Sequence, residues 1–163
     1  MRVILGVALA LFAAPSMAAD PLPVFDFKGF VAGEVVSAKA LKDCDDRNGE
    51  ISCRNKFDKI AGVFADTRIR FAHGKLSSVY ATADRAFYPA FRDAFAAKYG
   101  KPCKVEATTL KNSYGAEFER HTQIWCFATG KLYLEDIGSN LSQLTFGYMD
   151  DNQPPKKEPK IDF

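Results

Sequence analysis

The sequence predicts a small exported protein of the α+β class: two layers, helices packed on an antiparallel sheet, stapled by two disulfides. Three observations carry that expectation. A stretch of strictly alternating residues, "TRIRF", sets Thr67, Ile69 and Phe71 against Arg68 and Arg70, the pattern of a half-buried strand. An aromatic stripe, Phe87, Phe91, Phe95 and Tyr99, recurs every four residues, the pattern of an amphipathic helix. Four cysteines, an even number, follow an N-terminal secretory leader.

The leader is "MRVILGVALALFAAPSMAAD", with Arg2, an apolar run from Val3 to Ala14, Pro15 and small residues at Ser16 and Ala18. That run is too short to span a bilayer comfortably, so a signal peptide at 1–18, cleaved after Ala18, is expected. No cysteine stands at the cleavage point to carry a lipid, and no stable membrane anchor is expected. Periplasm or extracellular space follows as the location.

The mature chain, a single domain over 19–149, opens with the proline-containing "DPLPVFDFKGF". "GEVVSAKALKD" then spaces Val35, Val36, Ala38 and Leu41 in helical fashion, with Glu34 at the positive helix end. "FDKIAGVFAD" reads as a strand with Gly62 as a bulge. "AHGK" turns tightly on Gly74, and "LSSVYATA" returns as the hairpin partner of "TRIRF". "DRAFYPAFRDAFAAKYGKP" is the strongest helix, with Pro89 in its first turn and Gly100 and Pro102 as its stop.

In the second half, "CKVEATTL" leads to a polar loop, "KNSYGAEFE". "RHTQIWCFA", "LYLEDI" and "LSQLTFGYM" then form an antiparallel meander. The remainder, 150–163, holds three prolines and alternating charge and reads as a flexible tail.

"FAHGKL" at 71–76 and "FATGKL" at 127–132 differ at one position. Together with the helix register, they suggest tandem helix–hairpin units at about 33–83 and 84–137. The alternative is one favourable hairpin turn used twice.

The pairings Cys44–Cys53 and Cys103–Cys126 are preferred among the three that four cysteines allow, because each closes a loop inside one unit. By chain entropy they are worth about 2.5 and about 3.5 kcal/mol. No C-x-x-C occurs and the two histidines lie far from ligand spacing, so zinc is not expected.

The segments "GEVVSAKALKDC…C" and "AFRDAFAAKYGKPC…WC", each leading to a hairpin, resemble the beta-lactamase inhibitor protein family. The single unit is similar to the small lipoproteins of the outer-membrane barrel-assembly machine. The resemblance covers Lys28 to Tyr148 and implies an α+β binding scaffold. It departs from the family in lacking the Gly-Met-Thr helix opening and a lipid-anchoring cysteine, and carries over no site residue.

"CDDRNGEISC" raises a calcium question. With Gly49 at the sixth loop position, Asp46, Asn48 and Ile51 fall where ligands and an apolar residue belong. Cys44 then occupies the first ligand position and Asn55 the twelfth, so both end ligands are missing.

Serine or cysteine catalysis needs a histidine partner. His73 sits at a hairpin tip, and His121 is expected in a cross-strand polar contact. Four acid pairs exist: Asp45-Asp46, Glu117-Glu119, Glu135-Asp136 and Asp150-Asp151. Each lies in a loop, near a strand end or in the tail, where charges are normally solvated, and nothing singles out a carboxyl in an apolar pocket with a raised pKa.

No catalytic residue, metal or cofactor is therefore assigned. The net charge of +2 gives nucleic acid no general attraction. The leading expectation is an exported binding protein contacting another envelope or secreted protein, as inhibitor or assembly accessory. The alternatives are a small-ligand carrier with a cavity against the Phe-rich helix, and an envelope hydrolase.

Overall fold

From Glu50 onward, apolar and polar side chains alternate through most of the chain, and it folds accordingly into long strands. The structure, a computed structural model, describes residues 21–41, 44–111 and 114–151. The short strands β1 (Asp26–Phe27) and β2 (Phe30–Val31) form a separate hairpin. A 3₁₀ turn at Ala38–Leu41 precedes β3 (Asp45–Arg47), β4 (Glu50–Ile60), β5 (Val63–Ala72) and β6 (Lys75–Asp84). The helix α1 (Tyr88–Tyr99) follows, then β7 (Lys104–Lys111), β8 (Glu117–Cys126), β9 (Gly130–Glu135) and β10 (Gln143–Asp150).

β3 to β10 make one antiparallel sheet in the order β3-β4-β5-β6-β10-β9-β8-β7. It is two four-stranded meanders joined at their last strands, β6 and β10. Four connections (Lys28-Gly29, Asn48-Gly49, Ala61-Gly62 and His73-Gly74) are two-residue turns with both residues at positive φ. That is the type I′ geometry whose twist suits tight hairpins.

One face of the sheet is buried. Leu144, Phe146 and Tyr148 of β10, Val79 and Ala81 of β6, Leu132 and Leu134 of β9 and Trp125 of β8 share it by register. α1 covers this face: Phe95 meets Trp125 and Phe146 edge-on at 5.7 and 5.1 Å between centroids, and Phe91 meets Phe146 at 5.3 Å. The β1–β2 segment closes the layer beside the helix, with Phe25 stacked on Tyr148 at 3.9 Å. Such edge-to-face and offset contacts add to the area buried.

α1 holds as its sequence predicts. Pro89 lies in its first turn and Gly100 ends it at φ 80°; a 3₁₀ turn at Arg85–Phe87, where Asp84 accepts the Ala86 N–H at 2.8 Å, leads into it and leaves Phe87 exposed outside the helix. Both disulfides have the expected pairings, Cys44–Cys53 and Cys103–Cys126.

The expected α+β architecture of repeated helix–hairpin units is overturned. The chain is mostly strand, with one α-helix among the described residues. The segment from Gly33 is not an α-helix: Val35 is 74% exposed and bridges to Lys75, and the Val36 N–H donates to the Gly74 carbonyl at 2.8 Å. Two adjacent β-branched valines were placed to extend along a neighbouring hairpin, and four apolar residues did not outweigh that pairing. Lys42 and Asp43, at the end of the expected helix, lie outside the described residues.

The repeated hexapeptide also divides. In "FAHGKL", His73 and Gly74 form a turn at positive φ. In "FATGKL", Ala128 and Thr129 make the turn, and the Phe127 N–H donates to the Gly130 carbonyl at 2.8 Å. Gly130 is required for close approach instead: a Cβ there would overlap the Met149 carbonyl. With one α-helix among the described residues and two unlike turns, the units are not helix–hairpins at 33–83 and 84–137; what recurs is a four-stranded meander, β3–β6 and β7–β10, each with a disulfide to its second strand.

"FDKIAGVFAD" is two strands rather than one. Ala61 and Gly62 form the β4–β5 turn, and the bulge falls earlier, between Asn55 and Asp58. The leader at 1–18 and most of the tail lie outside the described residues.

Candidate functional site

Apart from the β9–β10 loop, whose Gly138 lies against the buried Thr145, the face of the sheet opposite α1 is open among the described residues. Its side chains are set in rows by strand register. One row runs Arg54, Arg68, Tyr80, Gly147, Tyr133, Ile124 and Lys104 across seven strands. The next runs Asp45, Ser52, Arg70, Ser78, Met149 and Lys131.

At the corner formed by β3, β4 and β5 the rows leave a groove of about 420 Å³ lined by Arg47, Arg54, Arg68 and Arg70, with Asp45, Glu50 and Ser52. Arg54 is held by a two-pronged ion pair to Asp66, at 2.6 and 3.1 Å. That hydrogen bond draws the Asp66 carboxyl below its ordinary pKa and raises the guanidinium. Arg70 reaches Glu50 only at 3.8 Å. Arg47 and Arg68 are exposed and make no ion pair among the described residues. Arg54 and Arg68 stand directly opposite each other, an arrangement of like charges that costs sheet stability.

Beside the groove, Tyr133 lies across Gly147, whose absent side chain makes room: a Cβ would sit 2.6 Å from the Tyr133 hydroxyl. Burial, with Glu135 and Tyr80 nearby, pushes the Tyr133 phenol up to about 12. Tyr80 and Met149 stand exposed in adjoining positions.

The β4 bulge turns Lys56 and Phe57 out beyond this row, and Phe64 faces outward opposite Lys59. Phe57 is 78% and Phe64 66% exposed, at the end of the same two strands that carry Arg54 and Arg68.

Of the acid pairs named from the sequence, Glu119 and Asp136 meet at His121, 3.8 Å from Nε2 and 3.4 Å from Nδ1, and the others stay apart. Asp45 and Asp46 point to opposite faces of β3, and the Asp46 carboxylate accepts the Gly49 N–H at 3.1 Å. "CDDRNGEISC" is thus a hairpin turn with its disulfide at the base. Glu117 pairs with Lys111 at 2.7 Å, and Glu135 with Arg120 at 3.5 Å. Burial raises the Glu135 pKa against the pull of Arg120. Asp150 ends β10.

The sequence did not show that two carboxylates are buried: Asp58, and Asp136 of the named pair Glu135-Asp136. Asp58, 5% exposed, is paired with Lys28 and accepts the Thr67 hydroxyl at 3.0 Å. Asp136, 8% exposed, accepts the His121 N–H at 2.7 Å and Arg85 at 3.3 Å. His121 Nδ1 also lies 3.4 Å from Asp136, so its polar contact runs to the residue following β9. Both carboxylates are fully engaged in joining segments. His73 is exposed at the β5–β6 turn.

Among the described residues no group of three or more histidines, cysteines or acids gathers where a metal is held. Compared with known proteins, the chain matches no family model, no curated protein and no solved structure.

Proposed function

We propose that the chain is an exported binding protein that docks another envelope or secreted protein onto its open sheet face, centred on β4 and β5. The observation that carries this reading is the side-chain set there: Arg47, Arg68 and Arg70, Tyr80, Met149, and the exposed pair Phe57 and Phe64. Arginine, tyrosine, phenylalanine and methionine are the residues enriched at the cores of protein interfaces.

Charge argues for a protein over a nucleic acid. Four guanidinia and two carboxylates line the groove, a surplus of two positive charges, and Asp45 and Glu50 would oppose a phosphate backbone. A partner with mixed charge, including carboxylates for Arg47 and Arg68, fits better. The two disulfides suit export to an oxidising compartment.

The test is retention of a partner from an envelope extract by the immobilised, oxidised chain. The partner should be lost with Phe57→Ala/Phe64→Ala and with Arg68→Glu, and kept with Arg92→Glu on the outer side of α1. Equal retention by all four proteins would reject this face as the contact.

A further inference from the structure

Along β5 the open face shows a side chain at every second residue: Phe64, Asp66, Arg68 and Arg70. Ala65, Thr67, Ile69 and Phe71 between them are buried. Two residues of strand advance about 6.6 Å, so the four positions span about 20 Å in one row. An extended peptide repeats its side chains on one face at the same interval, and one lying along β5 would meet these positions one for one.

The charges along the row are unequally used. Arg54 and Asp66 hold each other at 2.6 and 3.1 Å, which closes the Asp66 position. Arg68 makes no ion pair among the described residues, and Arg70 reaches Glu50 only at 3.8 Å. Both arginines stand between the groove on the β3 side and a recess of about 160 Å³ on the β6 side, lined by Tyr80 and Met149. Arg68 also faces Arg54 across the β4–β5 pair, and a carboxylate bound at Arg68 would offset that repulsion. At the far end of the row Phe64 and, from the β4 bulge, Phe57 leave an aromatic surface exposed.

A second copy of the chain suits this row poorly. Packed face to face, it would set arginines against a groove already lined by four guanidinia and two carboxylates.

We infer that the partner presents an extended acidic segment to β5, with carboxylates two residues apart on Arg70 and Arg68, a small residue over Asp66 and an aromatic side chain on Phe64 and Phe57. Such a segment rests on the protein contact proposed for the open face. It gives that contact a pattern: acid, acid, small and aromatic at every second residue.

Two capped heptapeptides of one composition, ETETSTF and EETTSTF, test it. Each is labelled with fluorescein and titrated with the oxidised chain by fluorescence anisotropy. In the second peptide the acids are adjacent and point to opposite sides of an extended chain. The first should bind about tenfold more tightly, the effect of one added charge-assisted hydrogen bond. Arg68→Gln should erase that preference, Phe64→Ala should weaken both peptides, and Arg92→Gln should change neither. Arg68 and Phe64 are exposed, so these variants leave the core untouched.

Equal binding of the two peptides, or no saturation by about 1 mM protein, would overturn the segment. If a partner were still captured from the extract and lost with Arg68→Glu, the contact itself would stand. Cosedimentation with phosphatidylglycerol vesicles that the first peptide does not reverse would assign the face to a lipid surface. A dimer that the peptide does not dissociate would assign it to a second copy. Either result would overturn the segment as well.

Discussion

Tyr133 and Gly147 define the middle of the open face through one steric relation. The ring occupies the space a β-carbon would take, so the row of side chains stays low between Tyr80 and Ile124. Gly147→Ala should destabilise the protein by about 1–3 kcal/mol, the usual cost of overpacking. Tyr133→Ala in the same chain should relieve most of it. Urea unfolding of the two single variants and the double variant, read as a thermodynamic cycle, checks this; additive effects would mean the ring yields freely. Part of this face is legible in the sequence. Arg68 and Arg70 alternate with buried Thr67, Ile69 and Phe71, which puts both arginines on one side of β5. Arg54 joins them only because β4 pairs in the register that sets it opposite Arg68.

At the scale of elements, strands and α1 were readable where a pattern was long, and the segment from Gly33 to Leu41 was not. The alternation over 67–71 in β5 and the aromatic spacing Phe91, Phe95 and Tyr99 in α1 each follow one period closely enough to outweigh local preference. The Gly33 segment offered four apolar positions, and pairing with the β5–β6 turn decided its course. The staples act at the same scale. Cys103–Cys126 ties the exit of α1 to the end of β8, and Cys44–Cys53 ties the entry of β3 to β4. Removing the first pair as Cys103→Ala/Cys126→Ala should cost about 3.5 kcal/mol, and the second pair about 2.5 kcal/mol, by loop size. Denaturant midpoints measured at equal slope check the order; a larger loss from the shorter loop would show native-state packing of the cystine to dominate.

For the whole molecule, the critical strand comes last. β10 sits between β6 and β9, and among the described residues its pairing with β6 is what links the two meanders within the sheet. It also brings Leu144, Phe146 and Tyr148 into the core beneath α1. A chain ending at Ser142 should therefore lose its cooperative thermal transition and near-ultraviolet circular dichroism. A chain ending at Asp151 should keep both. Retention of a sharp transition by the shorter chain would show that one meander folds with α1 alone.

Taken by itself, the sequence determined the Phe-rich helix, the His73-Gly74 turn and the alternating strand at 67–71, and it favoured the disulfide pairing found among the three possible. Each of these depends on neighbours along the chain or on closing a short loop, so local pattern suffices. Tertiary structure alone decided the single eight-stranded sheet, the burial of Asp58 and Asp136, and the assembly of four arginines beside Tyr80 and Tyr133. Those depend on which strand lies beside which and in what register. Such pairings join residues far apart in sequence, and a one-residue slip would turn every side chain to the opposite face.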